Sequence, residues 1–297
     1  MLEQANAIKQ HGQIQQLQPG FSAVRLRTMA GNMTSDQCRK AAELADKYGR
    51  GHLHITTRQS VEIHWVQTDQ LAAIFQEILD AGLLLAVRGA RILTVIACPG
   101  KALCRSGLGD TTALAAQLNA VMVGQEFAGK TKIAVSGCPS SCAKPQINDI
   151  GLHGVILPAV TGTCTGCNLC GQNCKLQAIE IRENKPSIDR HKCVGCGQCV
   201  KTCPQQALTA AKQGFAVYVG GKIGKRPLLG TKIFTVIPEA AALGYVQAIL
   251  DAYQRLGVTG ERIGDVIRRR GMTAFRQEVV AILSGQGGGS VPEDVPS

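Results

Sequence analysis

The chain has 297 residues, of which 45% are apolar and 4% aromatic, enough for one large aliphatic core or two modest ones. Its formal charge of +11 would suit a nucleic-acid partner, but the basic residues are scattered and aromatics for base stacking are scarce, so that class is set aside. No apolar run reaches the roughly 18 residues of a membrane span, and the start MLEQANAIKQHGQ lacks the basic-then-apolar order of a signal peptide, so a cytoplasmic protein without a membrane partner is expected.

In chain order, residues 1–20 are polar and Gln-rich and read as a flexible arm. Phe21 to Met29 alternates, with Val24, Leu26 and Thr28 on one face and Arg25 and Arg27 on the other, as a half-buried strand does. Thr34 and Gln37 make a capping box for a helix whose stripe is Cys38, Ala41, Ala42, Ala45 and Tyr48, closed by Gly49. On that stripe Cys38 reads as core. Leu53 to Trp65 reads as one or two strands, and Leu71, Ile74, Phe75 and Ile78 mark a second helix. This order predicts a ferredoxin-like, split βαβ layer over residues 21–90.

Arg91 to Ala97 is a buried-type strand running into Cys98. Asp110 can cap a helix bearing Leu114, Leu118 and Val121. Thr131 to Ser136 is a strand running into Cys138, and Leu152 to Leu157 continues the sheet. After a segment rich in Cys, Gly and Pro, Phe215 to Val219 returns to strand, followed by the basic loop GGKIGKRPLLG. That loop lacks the spacing of a P-loop. Pro238 suits the first turn of a helix with Leu243, Val246, Leu250 and Tyr253. Residues 91–160 and 212–284 thus form a second domain, 161–211 an insert, and 285–297 a disordered tail.

The cysteines carry the chemistry. Thirteen thiols in a chain without a secretion signal argue against disulfides, and their short gaps suit metal ligation. In the insert, Cys164-x2-Cys167-x2-Cys170-x3-Cys174 recurs 29 residues later as Cys193-x2-Cys196-x2-Cys199-x3-Cys203, and Gln177-Ala178-Ile179 matches Gln206-Ala207-Leu208. This doubled run is the signature of a bacterial two-cluster ferredoxin, in which the fourth thiolate of each run crosses to the other cluster. The rule assigns Cys164, Cys167, Cys170 and Cys203 to one [4Fe–4S] cubane and Cys174, Cys193, Cys196 and Cys199 to the other. A pair of zinc sites would give no reason for the repeat. The remaining pairs, Cys98-x5-Cys104 and Cys138-x3-Cys142, each begin where a buried strand ends. Spacing alone makes them a four-cysteine metal site that zinc or a cubane would fit.

The segments TVIACPGKALCRSG and KIAVSGCPSSCAKP resemble the siroheme–cubane signature of the sulfite and nitrite reductase family. SAVRLRTMAG, GHLHITTRQSVEIH and VYVGGKIGKRP fall in that family's order, so the resemblance covers nearly the whole chain. A ferredoxin module between cluster loop and closing strand is similar to dissimilatory sulfite reductase subunits and the anaerobic sulfite reductase catalytic subunit. The resemblance implies an α+β fold, a ferredoxin-like sandwich plus a siroheme/[4Fe–4S] domain with an inserted 2[4Fe–4S] module. It also implies siroheme and three [4Fe–4S] clusters, with Cys142 bridging to the siroheme iron.

By the same resemblance Arg25, Lys130 and Lys132 bind the substrate oxyanion, while Arg27, Thr57 and Arg58 contact siroheme. Lys222, Lys225 and Arg226 could grip further carboxylates. The family's second substrate arginine is replaced by Leu93, with Arg91 on the same strand face as a shifted substitute. The expected reaction is six-electron reduction of sulfite to sulfide, fed by an unknown low-potential donor protein. Nitrite reduction and a non-catalytic electron-transfer role are the alternatives. Since siroheme sites in this family form between two homologous halves and this chain holds one, a dimer is expected.

Overall fold

The computed structural model describes residues 12–285. Residues 1–11 of the expected arm and 286–297 of the expected tail lie outside them. The chain divides into two compact units. Among the described residues the first comprises 12–97 with 115–133 and 257–262, and the second comprises 98–114, 134–256 and 263–285. The first therefore runs past the expected boundary at residue 90 and takes in a helix expected to belong to the second.

The first unit opens with β1 (Gln13–Gln15), which pairs antiparallel with β2 (Phe21–Arg27). These three residues were expected to be arm. Their sequence is too short and polar to signal a strand, and backbone pairing to β2 is what orders them. Then come α1 (Ser35–Tyr48), β3 (Leu53–Ile55), β4 (Val61–Gln67), α2 (Leu71–Asp80) and β5 (Leu84–Leu85). The sheet order is β1-β2-β4-β3, with β5 also on β2. With β5 counted as the fourth strand this is the ferredoxin-like split βαβ.

Alternation in β2 is as expected, with Val24, Leu26 and Thr28 buried beneath the helices and Arg25 and Arg27 on the opposite face. The Thr34/Gln37 capping box is formed on both sides. The core joins Val24, Leu26, Leu44, Ile63, Ile74 and Phe75. Cys38 is a correction. The buried stripe of α1 is Ala41, Leu44, Ala45 and Tyr48, whereas Cys38 is exposed. It keeps the helical period, but it stands in the first turn, beyond the layer the stripe covers.

Further along are β6 (Ile92–Ala97), α3 (Thr111–Met122), β7 (Thr131–Ser136) and β8 (Ile150–Val160). After the insert follow β11 (Leu208–Val219), β12 (Thr231–Ile237), α6 (Ala242–Leu256), α7 (Ile263–Arg270) and α8 (Met272–Gly285). The second sheet has the order β12-β11-β8-β7-β6. In the second unit β8 and β11 form one long antiparallel hairpin, paired from Ile150↔Val219 to Val160↔Leu208 with a bulge between Ala210 and Lys212. The segment between them carries α4 (Leu169–Gln172), the ribbon β9 (Ile179–Arg182) with β10 (Lys185–Ile188), and α5 (Gln198–Thr202). No described helix is long and apolar enough to cross a membrane.

Candidate metal centres

Two strand ends create the first cysteine site. Cys98 follows β6 directly, and its N–H donates to Val135 O at 3.1 Å, so the ladder with β7 continues to the cysteine. The Cys98 sulfur accepts the Gly137 N–H at 3.0 Å, which ties the two loops together at this thiol. The loop holding Cys138 and Cys142 is folded back on its strand by Ala143 N–H donating to Ser136 Oγ at 3.0 Å.

The loops meet because they lack side chains at the crossing. A Cβ on Gly137 would lie 2.7 Å from Gly100 Cα, and one on Gly107 would lie 2.5 Å from Gly100 C. Glycine is required for backbone to approach backbone this closely. Nothing in a single sequence marks which glycines interlock.

The inserted segment repeats in its backbone as it does in its sequence. Gly166 and Gly195 take φ of 70° and 72°, Asn168 and Gly197 take 58° and 68°, and Gln177 and Gln206 both take 51°. Each member of a pair stands 29 residues from the other. One small pocket is lined by Cys164, Cys167, Cys170 and Cys203 together with Pro186 and Pro204. A second cavity, of about 780 Å³, is lined by Cys174, Cys193, Cys196 and Cys199. Cys138 lines the second cavity as well.

Main-chain N–H groups point at the thiols in each set, Gly166 to Cys164 Sγ at 3.4 Å and Ala178 to Cys174 Sγ at 3.3 Å. At Cys203 burial raises the thiol pKa, but N–H groups from residues 205–208 outweigh it and bring it below its ordinary value of 9.0. Burial pushes Cys170 up, and Cys199 up to about 11, with neighbouring thiols adding to both. A cationic iron core would reverse that balance. Among the described residues no three His, Cys, Asp or Glu side chains converge on a single metal ion. A cubane asks for something else, since each thiolate caps a separate iron corner.

The basic residues are placed as follows. Arg25 is held by Glu62, with Nε and Nη2 at 2.6 and 2.5 Å from Oε1, and Glu62 Oε2 also meets His64 Nε2 at 2.9 Å. Burial raises the Glu62 pKa, yet its bonds to His64 and Arg25 hold it below its ordinary value of 4.5. His54 stacks on His64, ring centroids 5.4 Å apart. Glu62 was missed in the sequence reading, because the register that sets it opposite Arg25 has no local signal. Arg27 is half-buried, and its Nε has no partner and no solvent. Burial lowers its pKa. A carboxylate is the group such an orphaned donor fits.

The Thr56–Ser60 turn carries exposed Thr57 and half-buried Arg58. Gln59, in the sequence only the last residue of the Thr-Thr-Arg-Gln segment, staples the turn to the residue before Cys98. Its amide donates to Ala97 O at 2.7 Å and accepts from Ala97 N at 3.0 Å. Lys130 is exposed just ahead of β7, and Lys132 is half-buried on it. Arg91 forms an ion pair with Glu126, and Leu93 is half-buried. Lys222 is bound to Asp265 at 2.6 Å, while Lys225 and Arg226 are exposed.

Two family models match this arrangement, the nitrite and sulphite reductase 4Fe-4S domain over residues 88–285 and the nitrite/sulfite reductase ferredoxin-like half domain over residues 14–81. The chain belongs to the nitrite and sulfite reductase family. Residues 88–285 are its 4Fe–4S domain. It is 33% identical over 277 residues to the coenzyme F420-dependent sulfite reductase of Methanocaldococcus jannaschii, covering 92% of this chain and 44% of that protein. Thus the chain spans less than half of that relative's length. It is 22% identical to the assimilatory-type sulfite reductase of Nitratidesulfovibrio vulgaris, covering 87% of this chain and 92% of that one. In fold it is similar to dissimilatory sulfite reductase I, with a TM-score of 0.72 at 20% identity over 93% of this chain and 71% of that one.

Proposed function

We propose that the chain is a siroheme-dependent reductase that converts sulfite to sulfide, with three [4Fe–4S] clusters feeding the reaction. The observation that carries this reading is the glycine-locked crossing that brings the Cys98/Cys104 and Cys138/Cys142 loops together at the ends of paired strands. The orphaned Arg27 Nε supports a bound polycarboxylate beside it. When bound, siroheme supplies an iron that takes the substrate's sulfur and passes it electrons singly.

The chain's own residues then have separable tasks. Arg27 and Arg58 orient the tetrapyrrole through its carboxylates, with Thr57 beside them and Lys222, Lys225 and Arg226 as further carboxylate partners. Arg25, Lys130 and Lys132 neutralise the oxyanion, and the two lysine ammoniums can donate protons to it. Glu62 holds the Arg25 guanidinium in one orientation, which limits the entropy lost when the anion binds. The four cysteines of the strand-end loops would hold the catalytic cluster, with Cys142 the one that would also serve the siroheme. The two crossed sets of the insert form a ferredoxin-type relay. A dimer is the working assembly in this reading, and a reducing compartment suits its thiols.

Nitrite is the second reading, favoured by Leu93 at a position where the family carries an arginine and by the engagement of Arg91 with Glu126. Both are tested on the anaerobically purified protein. A siroheme reductase shows Soret and red absorption bands beyond the broad cluster absorption, and after dye reduction it forms sulfide from added sulfite. Faster oxidation by nitrite with no sulfide formed would transfer the assignment to nitrite. Cluster absorption alone, without the tetrapyrrole bands, would leave an electron-transfer subunit.

A further inference from the structure

We propose that the two clusters of the insert act in a fixed order: the Cys174/Cys193/Cys196/Cys199 cluster is the inner one, and Cys138 is the thiolate of the catalytic cluster that faces it. The Cys164/Cys167/Cys170/Cys203 cluster is the outer relay. This rests on the reading above and adds a direction to it.

The first observation is the cavity of about 780 Å³. Cys138, with Pro139 and Ser140, lines it together with all four thiols of the inner set. The outer set lines its own pocket, shared with Asn168, Pro186 and Pro204. An electron leaving the inner set therefore faces Cys138 across a single space. The loop between Cys138 and Cys142 is three residues long, so arrival and departure thiolates belong to one short turn.

The second observation is an asymmetry between two otherwise equal repeats. The Cys193–Cys199 loop is joined to β8 by backbone, with Ile156 N–H donating to Gly195 O at 2.8 Å and a parallel bridge between Ile156 and Cys196. Arg190 Nη2 donates to Pro158 O at 2.7 Å, and Lys201 Nζ donates to Arg105 O at 3.1 Å, one residue beyond Cys104. The position occupied by Asn168 in the first repeat is Gly197 in the second. Both residues are left-handed, but a Cβ on Gly197 would stand 3.0 Å from Ile156 Cδ1. The repeat that docks has given up its side chain at the docking point.

Charge favours the same direction. Arg105, Lys175 and Lys201 all line the shared cavity. Each reduction adds one negative charge to a cluster, and fixed cations beside it stabilise the reduced form. The transfer itself is one electron. The inner cluster returns to its oxidised charge, the catalytic cluster gains one negative charge, no bond changes, and the outer cluster refills the inner one from a low-potential one-electron donor.

The test uses the intact holoprotein reduced stepwise with a low-potential viologen dye and followed by electron paramagnetic resonance. Gly197→Asn, which copies the first repeat's residue, should keep all the iron yet lose the magnetic splitting between the catalytic cluster and one insert cluster. The converse substitution, Asn168→Gly, should leave that splitting intact. Splitting that survives Gly197→Asn, or disappears in Asn168→Gly, overturns the order. If Gly197→Asn does not retain iron, Lys201→Gln decides the matter. It should lower the midpoint potentials of two clusters and spare the third, and unchanged potentials in all three would reject the proposal. The wild-type spectrum stands apart from both variants, since absence of siroheme bands there would refute the preceding section rather than the order.

Discussion

Burial keeps His153 neutral. It lies 4% exposed in β8 with Nε2 at 3.0 Å from the Tyr218 hydroxyl and Nδ1 buried without a partner. Desolvation, with Lys232 nearby, pulls its pKa from 6.5 to about 4. A base with a depressed folded pKa binds its proton more readily when unfolded, so stability is complete above 6.5 and is lost as pH falls towards 4. At about 1.4 kcal/mol for each tenfold change, that loss is on the order of 3 kcal/mol. His153→Gln, which keeps a polar partner for Tyr218 without titrating, should flatten the fall of melting temperature between pH 6.5 and 4. Gln59 allows a second test at this scale. Gln59→Ala removes both bonds to Ala97 and should cost about 2 kcal/mol in thermal stability. It should also lower the ratio of Soret to protein absorbance, because the turn carrying Thr57 and Arg58 loses its anchor. The contacts of neither residue were legible beforehand. A histidine in a strand reads as an ordinary polar residue until its burial is known, and Gln59 acts through a partner 38 residues away.

Among the elements, those that obey a period were legible and those fixed by contact were not. The capping box ahead of α1 and the alternation of β2 each follow from a local pattern that burial then uses. By contrast β1 has no apolar alternation, and the exposure of Cys38 depends on where the covering layer stops. The meeting of the two cysteine loops depends on Gly100, Gly107 and Gly137 lying together, which no spacing announces. Gly137→Ala should therefore separate the loops while leaving the insert loaded, reducing iron by about four of about twelve atoms per chain. Gly244 in α6 is the opposite case, since nothing lies within 4 Å of an added Cβ and its φ is not left-handed. Gly244→Ala should stabilise the protein by about 0.5–1 kcal/mol, read as a higher melting temperature with unchanged spectra.

For the whole molecule, the thiols divide cleanly by role. Twelve of the thirteen fall in the three proposed cluster sets, and Cys38 stands alone on an exposed helix turn. In the fully loaded protein a maleimide should label one thiol per chain, and Cys38→Ser should abolish the label without changing iron content. More labelling than this under anaerobic conditions would show that one proposed set is not ligating iron. The insert itself was visible as a composition shift and a repeat. Its anchorage to β8 was not, because hydrogen bonds from Ile156 and to Pro158 involve backbone atoms that every residue carries.

The hairpin beneath the insert has one more consequence. Thr161 N–H donates to Ala207 O at 3.0 Å, and the hydroxyls of Thr161 and Thr209 lie 3.0 Å apart. The ladder is thus already closed at the point where the chain departs, and nothing in the sheet waits for the excursion to return. The insert is a cartridge on a finished socket. On the proposed reading, such a joint would let the electron supply be exchanged, lengthened or discarded without renegotiating the scaffold beneath it.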